Sequence, residues 1–278
     1  MMTTEAHSRV GTFLDAAAER QRDPLPEWTP PLRCGVDLGT ATIVLTVVDA
    51  EDRPVYFDYV PEAAVRDGVV VDFHGAVSAV RLLKHRAEQA LGTTLESAAT
   101  AYPPGVGLEE SRACRFVLEQ ADLECRGLVD EVSAAQALLQ LSDGAIADVG
   151  GGSTGVGVYR DGTLVSLGDR PGGGHHLNLI LAGALRLPLD QAEREKRENG
   201  VAHLAILRPG IERIAENIGR LMGERPTGPV HLVGGALMLP GTGRIVESYL
   251  NHPVVEHRHA LLVTPFGIAL SQPATGNS

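Results

Sequence analysis

Two segments of this 278-residue chain carry one chemical pattern, Gly35-Val36-Asp37-Leu38-Gly39-Thr40-Ala41-Thr42 and Ala147-Asp148-Val149-Gly150-Gly151-Gly152-Ser153-Thr154-Gly155. In each, an Asp closes an apolar run and is followed by glycine, small residues with hydroxyls, and further β-formers. A strand that stops this way and returns as a second strand is a tight hairpin, with backbone N–H groups and hydroxyls aimed into the bend. Those donors suit phosphate, and a carboxylate in each hairpin suits Mg²⁺ held through water. Two such hairpins facing each other would grip a triphosphate from both sides. The run Gly150, Gly151, Gly152 allows close backbone approach where a Cβ would intrude, although a packed interdomain hinge would use glycine in the same way.

The elements that must position these hairpins follow from periodicity. Val10, Phe13, Leu14 and Ala17 fall at i, i+3, i+4 and i+7, which predicts a short amphipathic helix. Pro24, Pro26, Pro30 and Pro31 behind it predict a stiff connector. Such a helix either packs on its own domain or docks a partner. Residues 34–48 read as a hairpin and 55–60 as a third strand; Arg66-Asp67-Gly68 turns into a short apolar strand. Helical spacing over 75–91, a strand at 97–102, a helix over 109–121, a strand at 125–129 and a helix over 133–141 with Ser133 as N-cap follow. From residue 145 the order restarts, with a hairpin to 159, a strand at 164–167, helices over 176–185, 189–198 and 211–222, a strand at 230–233 and a helix over 241–250. Asp37 and Asp148 lie 111 residues apart, the interval of a duplicated domain.

A formal charge of −11 argues against non-specific binding to nucleic acid or to an anionic membrane, so an anionic ligand needs a local site made by amides and metal. Cys34, Cys114 and Cys125 are scattered and form no C-x-x-C, which fits a reducing compartment and neither a disulfide framework nor zinc. The acidic, polar start lacks the features of a signal peptide, and no apolar run reaches membrane-spanning length. A cytoplasmic protein is expected.

Five segments, 35–42, 130–135, 148–155, 231–241 and 264–269, occur in the order and at the spacing of the actin-like ATPase superfamily, which the chain resembles over 33–271. That superfamily contains actin, the filament protein MreB, sugar kinases and DnaK-type chaperones. The resemblance implies an α/β, duplicated actin-like ATPase (ribonuclease H-like) fold with two lobes around a nucleotide cleft, and ATP and Mg²⁺ as cofactors. It sets the N-terminal helix and Pro-rich linker at 1–31, a first lobe at 32–143 and a second at 144–278, whose last helix, about 265–272, is able to pack back on the first. Val65-Arg66-Asp67-Gly68 onward to Val77, Tyr102-Pro103-Pro104-Gly105, Gly173-Gly174-His175-His176 and Gln191-Ala192-Glu193 to Lys196-Arg197 are similar to a chaperone-like branch that serves ethanolamine utilization with bacterial microcompartment enzymes. The chain ends at Ser278, just past the last ATPase helix, so the peptide-binding β-domain of DnaK-type chaperones is not expected.

By the same resemblance Asp37 holds Mg²⁺ through waters, where the plain alternative is a turn Asp capping its own hairpin. Gly39, Thr40, Ala41 and Thr42 meet the β- and γ-phosphates from one side, and Gly150, Gly151, Gly152, Ser153 and Thr154 from the other. Asp148 orients the attacking water and Glu131 lies near metal and water. Glu193 and Lys196, three apart on one helix face, contact ribose and adenine unless they form an exposed ion pair with each other. Gly234 and Gly235 let adenine lie flat, and Gly174 belongs to the same surface. His175 and His176 have no third ligand at metal-binding spacing. The lysine that assists hydrolysis in chaperone relatives has no clear counterpart; Lys84 reads as a solvated helix face.

The implied function is an ATP-binding, weakly hydrolysing, chaperone-like protein that assists assembly or reactivation of ethanolamine-degrading enzymes. Its partners would be ATP or ADP and ethanolamine ammonia-lyase or other microcompartment proteins, with neither nucleic acid nor membrane. Whether it is a Mg²⁺-dependent ATPase stays open, as do two other classes, a small-molecule kinase and an actin- or MreB-like filament or scaffold protein.

Overall fold

In the computed structural model, which describes residues 2–61, 65–66 and 69–272, the first elements are α1 (Met2–Ala18), β1 (Arg33–Leu38), β2 (Thr42–Val48), β3 (Pro54–Pro61), β4 (Val65–Arg66), β5 (Val69–Val70), α2 (Phe73–Leu91), β6 (Ser97–Tyr102), α3 (Leu108–Gln120), β7 (Glu124–Asp130) and α4 (Glu131–Leu139). They are followed by β8 (Gly144–Val149), β9 (Ser153–Arg160), β10 (Thr163–Pro171), α5 (Gly174–Leu185), α6 (Leu189–Asn199), α7 (Leu204–Met222), β11 (Val230–Val233), α8 (Thr242–Leu250), β12 (Val254–Glu256) and α9 (Val263–Leu270). The chain forms two compact units, Met1–Gln140 with Leu261–Ser278, and Leu141–Ala260.

The first unit is built on a five-stranded sheet of order β3-β2-β1-β6-β7. β1, β2 and β3 form an antiparallel meander, and β1, β6 and β7 run parallel. Burial on both faces explains why β1, β2 and β6 do not alternate, whereas the edge strand β7 begins with alternating exposed and half-buried residues. Val36, Leu45, Val47, Val80, Leu83 and Val117 make the larger core with α2 and α3. Ala99, Ala101, Ala134 and Ile268 make a smaller one with α4 and α9. Small residues set that second layer: a Cβ on Gly35 would lie 2.6 Å from the Ala269 amide nitrogen, and one on Gly267 would lie 2.0 Å from the Ala134 carbonyl oxygen. Glycine at both lets α9 sit tight between β1 and α4.

The Pro-rich connector runs along the outer edge of β3. Arg22 N–H donates to the Phe57 carbonyl at 3.0 Å, Phe57 N–H to Arg20 at 3.1 Å and Leu25 N–H to Val55 at 2.8 Å. The side chain of Asp58, buried completely, accepts from Arg22 at 2.7 Å and Arg86 at 3.1 Å. An edge covered in this way offers no template for another strand. Of the two expectations for the N-terminal helix, packing on its own unit is the one realised: Val10, Leu14 and Ala17 of α1 are all buried.

The second unit repeats the plan with a sheet of order β10-β9-β8-β11-β12, its β8, β9 and β10 antiparallel and its β8, β11 and β12 parallel. Val149, Val156, Leu177, Leu181, Ile211 and Ile218 fill its core. Three elements differ from the sequence expectation. α7 starts at Leu204 and runs through Pro209, which the sequence marks as a boundary because proline lacks a helical N–H. β10 extends to Pro171. β12, directly after a proline, is too short to show any alternation. The expected turn at Asp67-Gly68 lies outside the described residues. No helix of the described residues is long and apolar enough to cross a membrane.

Candidate functional site

In the first unit Asp37 is the next-to-last residue of β1, opposite Val44. Gly39, Thr40 and Ala41 make the bend, and Thr42 opens β2. A Cβ on Gly39 would lie 2.8 Å from the Thr42 carbonyl oxygen, so the bend is tight at that position. β7 delivers Asp130 to the start of α4. Its carboxylate accepts from the Ser133 amide at 2.8 Å, so Asp130 is the N-cap and Ser133 sits inside the first turn, contrary to expectation. The reason is local: Asp130 has extended backbone angles directly before the helix, and a carboxylate there reaches the third amide. Glu131 then occupies the first turn, where the helix dipole favours an anion.

Burial, followed by the carboxylates of Glu131 and Asp37, pushes the Cys114 thiol up to about 12. Both predicted acidic residues of this unit therefore act on one buried thiol of α3. Asp37 at the end of β1 and Glu131 just beyond β7 stand at the carboxyl ends of parallel strands, the edge at which open α/β sheets take ligands.

In the second unit the predicted residues converge more closely. Asp148, next to last in β8 and 7% exposed, faces Gly234, where a Cβ would lie 2.5 Å from its Oδ1. Gly234 has φ +82°, a conformation side chains disfavour. Gly150, Gly151 and Gly152 make the bend, and Ser153 and Thr154 open β9. Gly174 N–H donates to the Gly150 carbonyl at 3.0 Å, and His175 N–H to Gly151 at 2.8 Å, which fixes the start of α5 on the hairpin. A Cβ on Gly173 would lie 2.3 Å from the Gly150 carbonyl oxygen.

Lys196 of α6 reaches the same surface, its ammonium donating to the Gly174 carbonyl at 3.2 Å. Burial pulls that ammonium down to about 8, partly opposed by Glu193. Ala236 N–H donates to Val149 at 3.1 Å, and the Ala236 methyl lies 3.4 Å from the position of a Gly174 Cβ. Asp148, Gly150, Gly151, Gly174, Lys196 and Gly234 thus form one cradle. Glu193 does not pair with Lys196; it pairs with Arg197 at 2.5 Å. Gly235 stands in the loop after β11.

Lys84 corrects the expectation of a solvated side chain, being largely covered and 3.3 Å from Glu88. His175 and His176 are exposed, with rings edge to face at 6.3 Å. The described residues contain no cluster of three or more His, Cys, Asp or Glu arranged to hold a metal.

Sequence reasoning missed what holds the loop from Gly234 to Gly241. The buried Thr242 hydroxyl donates to the Leu237 and Leu239 carbonyls at 2.5 and 2.8 Å, and Glu256 of β12 accepts from the Gly243 amide at 3.0 Å. A cavity of about 260 Å³ is lined by this loop and by residues 256–260, with Leu232, Leu237 and Met238 among its apolar walls. The buried His257, one of its lining residues, is hydrogen-bonded to His231 at 3.0 Å. A threonine after glycine at a helix start was the one visible signal.

The cell division protein FtsA family model matches residues 145–273. The ethanolamine utilization protein EutJ of Salmonella typhimurium is 38% identical over 257 residues, covering 92% of this chain and 91% of that protein. The Escherichia coli protein of the same name is 37% identical over 242 residues, 87% of this chain and 86% of that protein. The crystal structure of EutJ from Carboxydothermus hydrogenoformans has a TM-score of 0.87 at 39% identity, covering 96% of this chain and 98% of that one. MreB5 of Spiroplasma citri bound to ADP has a TM-score of 0.68 at 16% identity, covering 85% of this chain and 94% of that one, a likeness of fold alone. The expected duplicated α/β, actin-like architecture is the one the chain adopts.

Proposed function

Because the chain belongs to the family of the ethanolamine utilization protein EutJ, we propose that it is an ATP-binding, Mg²⁺-dependent protein of ethanolamine utilization whose Asp-Gly hairpins serve nucleotide phosphates. The observation that carries this reading is the recurrence of one device at one place in two sheets. Asp37 and Asp148 are each next to last in a strand that has an antiparallel hairpin partner on one side and a parallel strand on the other.

The residues fit such a ligand. Gly39, Gly173 and Gly234 stand where a Cβ would collide with backbone or carboxylate, so the two bends and the loop keep their amides and carbonyls uncovered by side chains. The carboxylates are hard oxygen donors suited to Mg²⁺. Asp37 would hold the metal; Gly39 to Thr42 and Gly151 to Ser153 would donate to phosphate oxygens, while the Gly150 N–H, given to the Ser153 carbonyl at 3.0 Å, and the buried Thr154 hydroxyl, given to the Gly172 carbonyl at 2.6 Å, shape the bend and do not donate to phosphate; Gly174, Glu193, Lys196, Gly234 and Gly235 would serve the nucleoside. When bound, Mg²⁺ supplies positive charge to the phosphate oxygens. Asp148 would orient water, and Glu131 would be the second catalytic carboxylate. Hydrolysis is slow in this reading, since the lysine that assists it in chaperone relatives has no clear counterpart in the sequence.

Calorimetry with Mg·ATP tests the nucleotide: wild type binds, and Asp37→Ala weakens binding by about tenfold or more through loss of a charged contact. No binding, or binding unchanged in Asp37→Ala, overturns it. The chaperone-like role at microcompartment enzymes is tested by phosphate release with and without ethanolamine ammonia-lyase; stimulation supports a client and an unchanged rate removes that enzyme as one.

A further inference from the structure

The chain passes out of its first unit after Gln140 and returns to it at Leu261. Both crossings abut helices of that unit: α4 ends at Leu139, and α9 begins at Val263. α1 touches each of them with a different side chain. The Arg9 guanidinium donates to the Leu138 carbonyl oxygen at 3.0 Å, and the Phe13 ring meets Phe266 edge to face at 5.4 Å.

The Arg9 contact has a specific chemistry. The last carbonyls of a helix lack an intrahelical partner and carry the negative end of its dipole. α4 has no basic residue in its own last turn, so Arg9 supplies that cation from another element. The Phe13 contact is equally placed, because Phe266 lies one residue before Gly267, the point at which α9 closes on Ala134 of α4. Val10, Leu14 and Ala17 would be enough to seat α1 as a cover over apolar surface. Arg9 and Phe13 instead reach the ends of the two helices that lead to the crossings.

We propose that α1 is a strap that couples the two crossings, so that the segments around 138–142 and 261–266 loosen together and not singly. Arg9 and Leu138 are 129 residues apart, so the contact exists only once α1 has packed on the folded unit. On the nucleotide reading of the preceding section, the strap also restrains exchange of bound nucleotide.

Hydrogen exchange of the full-length protein decides it by cross-effects. Phe13→Ala removes the contact to α9, and the strap requires exchange at 138–142 to rise by about tenfold; Arg9→Gln removes the contact to α4, and exchange at 261–266 must rise likewise. Peptides of β1 and β2 keep their wild-type protection. A change confined to each variant's own contact, or a uniform rise throughout the first unit, overturns the strap. Should Phe13→Ala fail to fold, Phe13→Leu retains an apolar side chain and carries the same comparison. Release of a fluorescent ADP analogue from the same variants tests the link to nucleotide. A protein that binds no nucleotide overturns the function proposed above, while the exchange data still decide the strap.

Discussion

The Lys196 ammonium donates to the Gly174 carbonyl oxygen at 3.2 Å, which brings the first residue of α5 and the charged helix α6 into one buried contact. Burial holds this ammonium at about 8 against an ordinary value of 10.5. Below pH 8 it is charged in the folded and the unfolded chain, and the cost of burying it is fully present. Between about 8 and 10.5 the unfolded chain binds more protons, so stability rises with pH. Urea unfolding at pH 7 and pH 9.5 should show wild type gaining about 2 kcal/mol relative to Lys196→Met, at roughly 1.4 kcal/mol for each tenfold change in proton affinity. A difference that does not move with pH would mean that Lys196 is hydrated.

Gly234 and Gly162 have similar positive φ, +82° and +73°, and different surroundings. A Cβ at Gly234 would lie 2.5 Å from both Asp148 Oδ1 and the Val149 carbonyl oxygen, whereas nothing lies within 4 Å of one at Gly162. Gly162→Ala should therefore cost only the left-handed strain, about 1 kcal/mol, and Gly234→Ala about 2–4 kcal/mol because Asp148 or the strand must also shift. Denaturant midpoints measure the pair. Equal costs would show that the loop after β11 yields without strain.

The hairpins were legible because their chemistry is local: Asp, Gly and hydroxyl residues lie within eight positions of one another, and the bend is a property of that string alone. Lys196 was legible as a residue and not as a contact, since its meeting with Gly174 depends on how α6 packs on α5. The exposed Glu193–Lys196 pair is the sort of i, i+3 partner that sequence suggests, yet Arg197 one turn from Glu193 wins it. Ser133 misled for a similar reason. It is a good capping residue, but Asp130 arrives first at the end of β7 with the geometry a cap needs. Nothing in the local string pairs Arg9 with Leu138 or His231 with His257. Such contacts arise from topology, which places distant residues side by side after the strands have paired.

Asp58 gives the connector along β3 a measurable anchor. Its carboxylate is fully buried and accepts from Arg22, Arg86 and the Tyr59 amide. Arg22 is 57% exposed and Arg86 35%, so either guanidinium can return to water if its partner is lost, while the carboxylate cannot. The cost of breaking the cluster is therefore asymmetric. Asp58→Asn should destabilise the protein by about 2 kcal/mol, since it weakens two charge-assisted hydrogen bonds at once. Arg22→Ala should cost less, because its guanidinium is largely exposed and Arg86 still compensates the buried charge. Limited trypsin digestion of folded protein reads the consequence for the connector: Asp58→Asn should speed cleavage after Arg20 and Arg22, as the edge pairing with Phe57 loosens. If both variants cost the same, the buried carboxylate is no more than one half of a surface ion pair, and the connector is held by its backbone bonds to β3 alone.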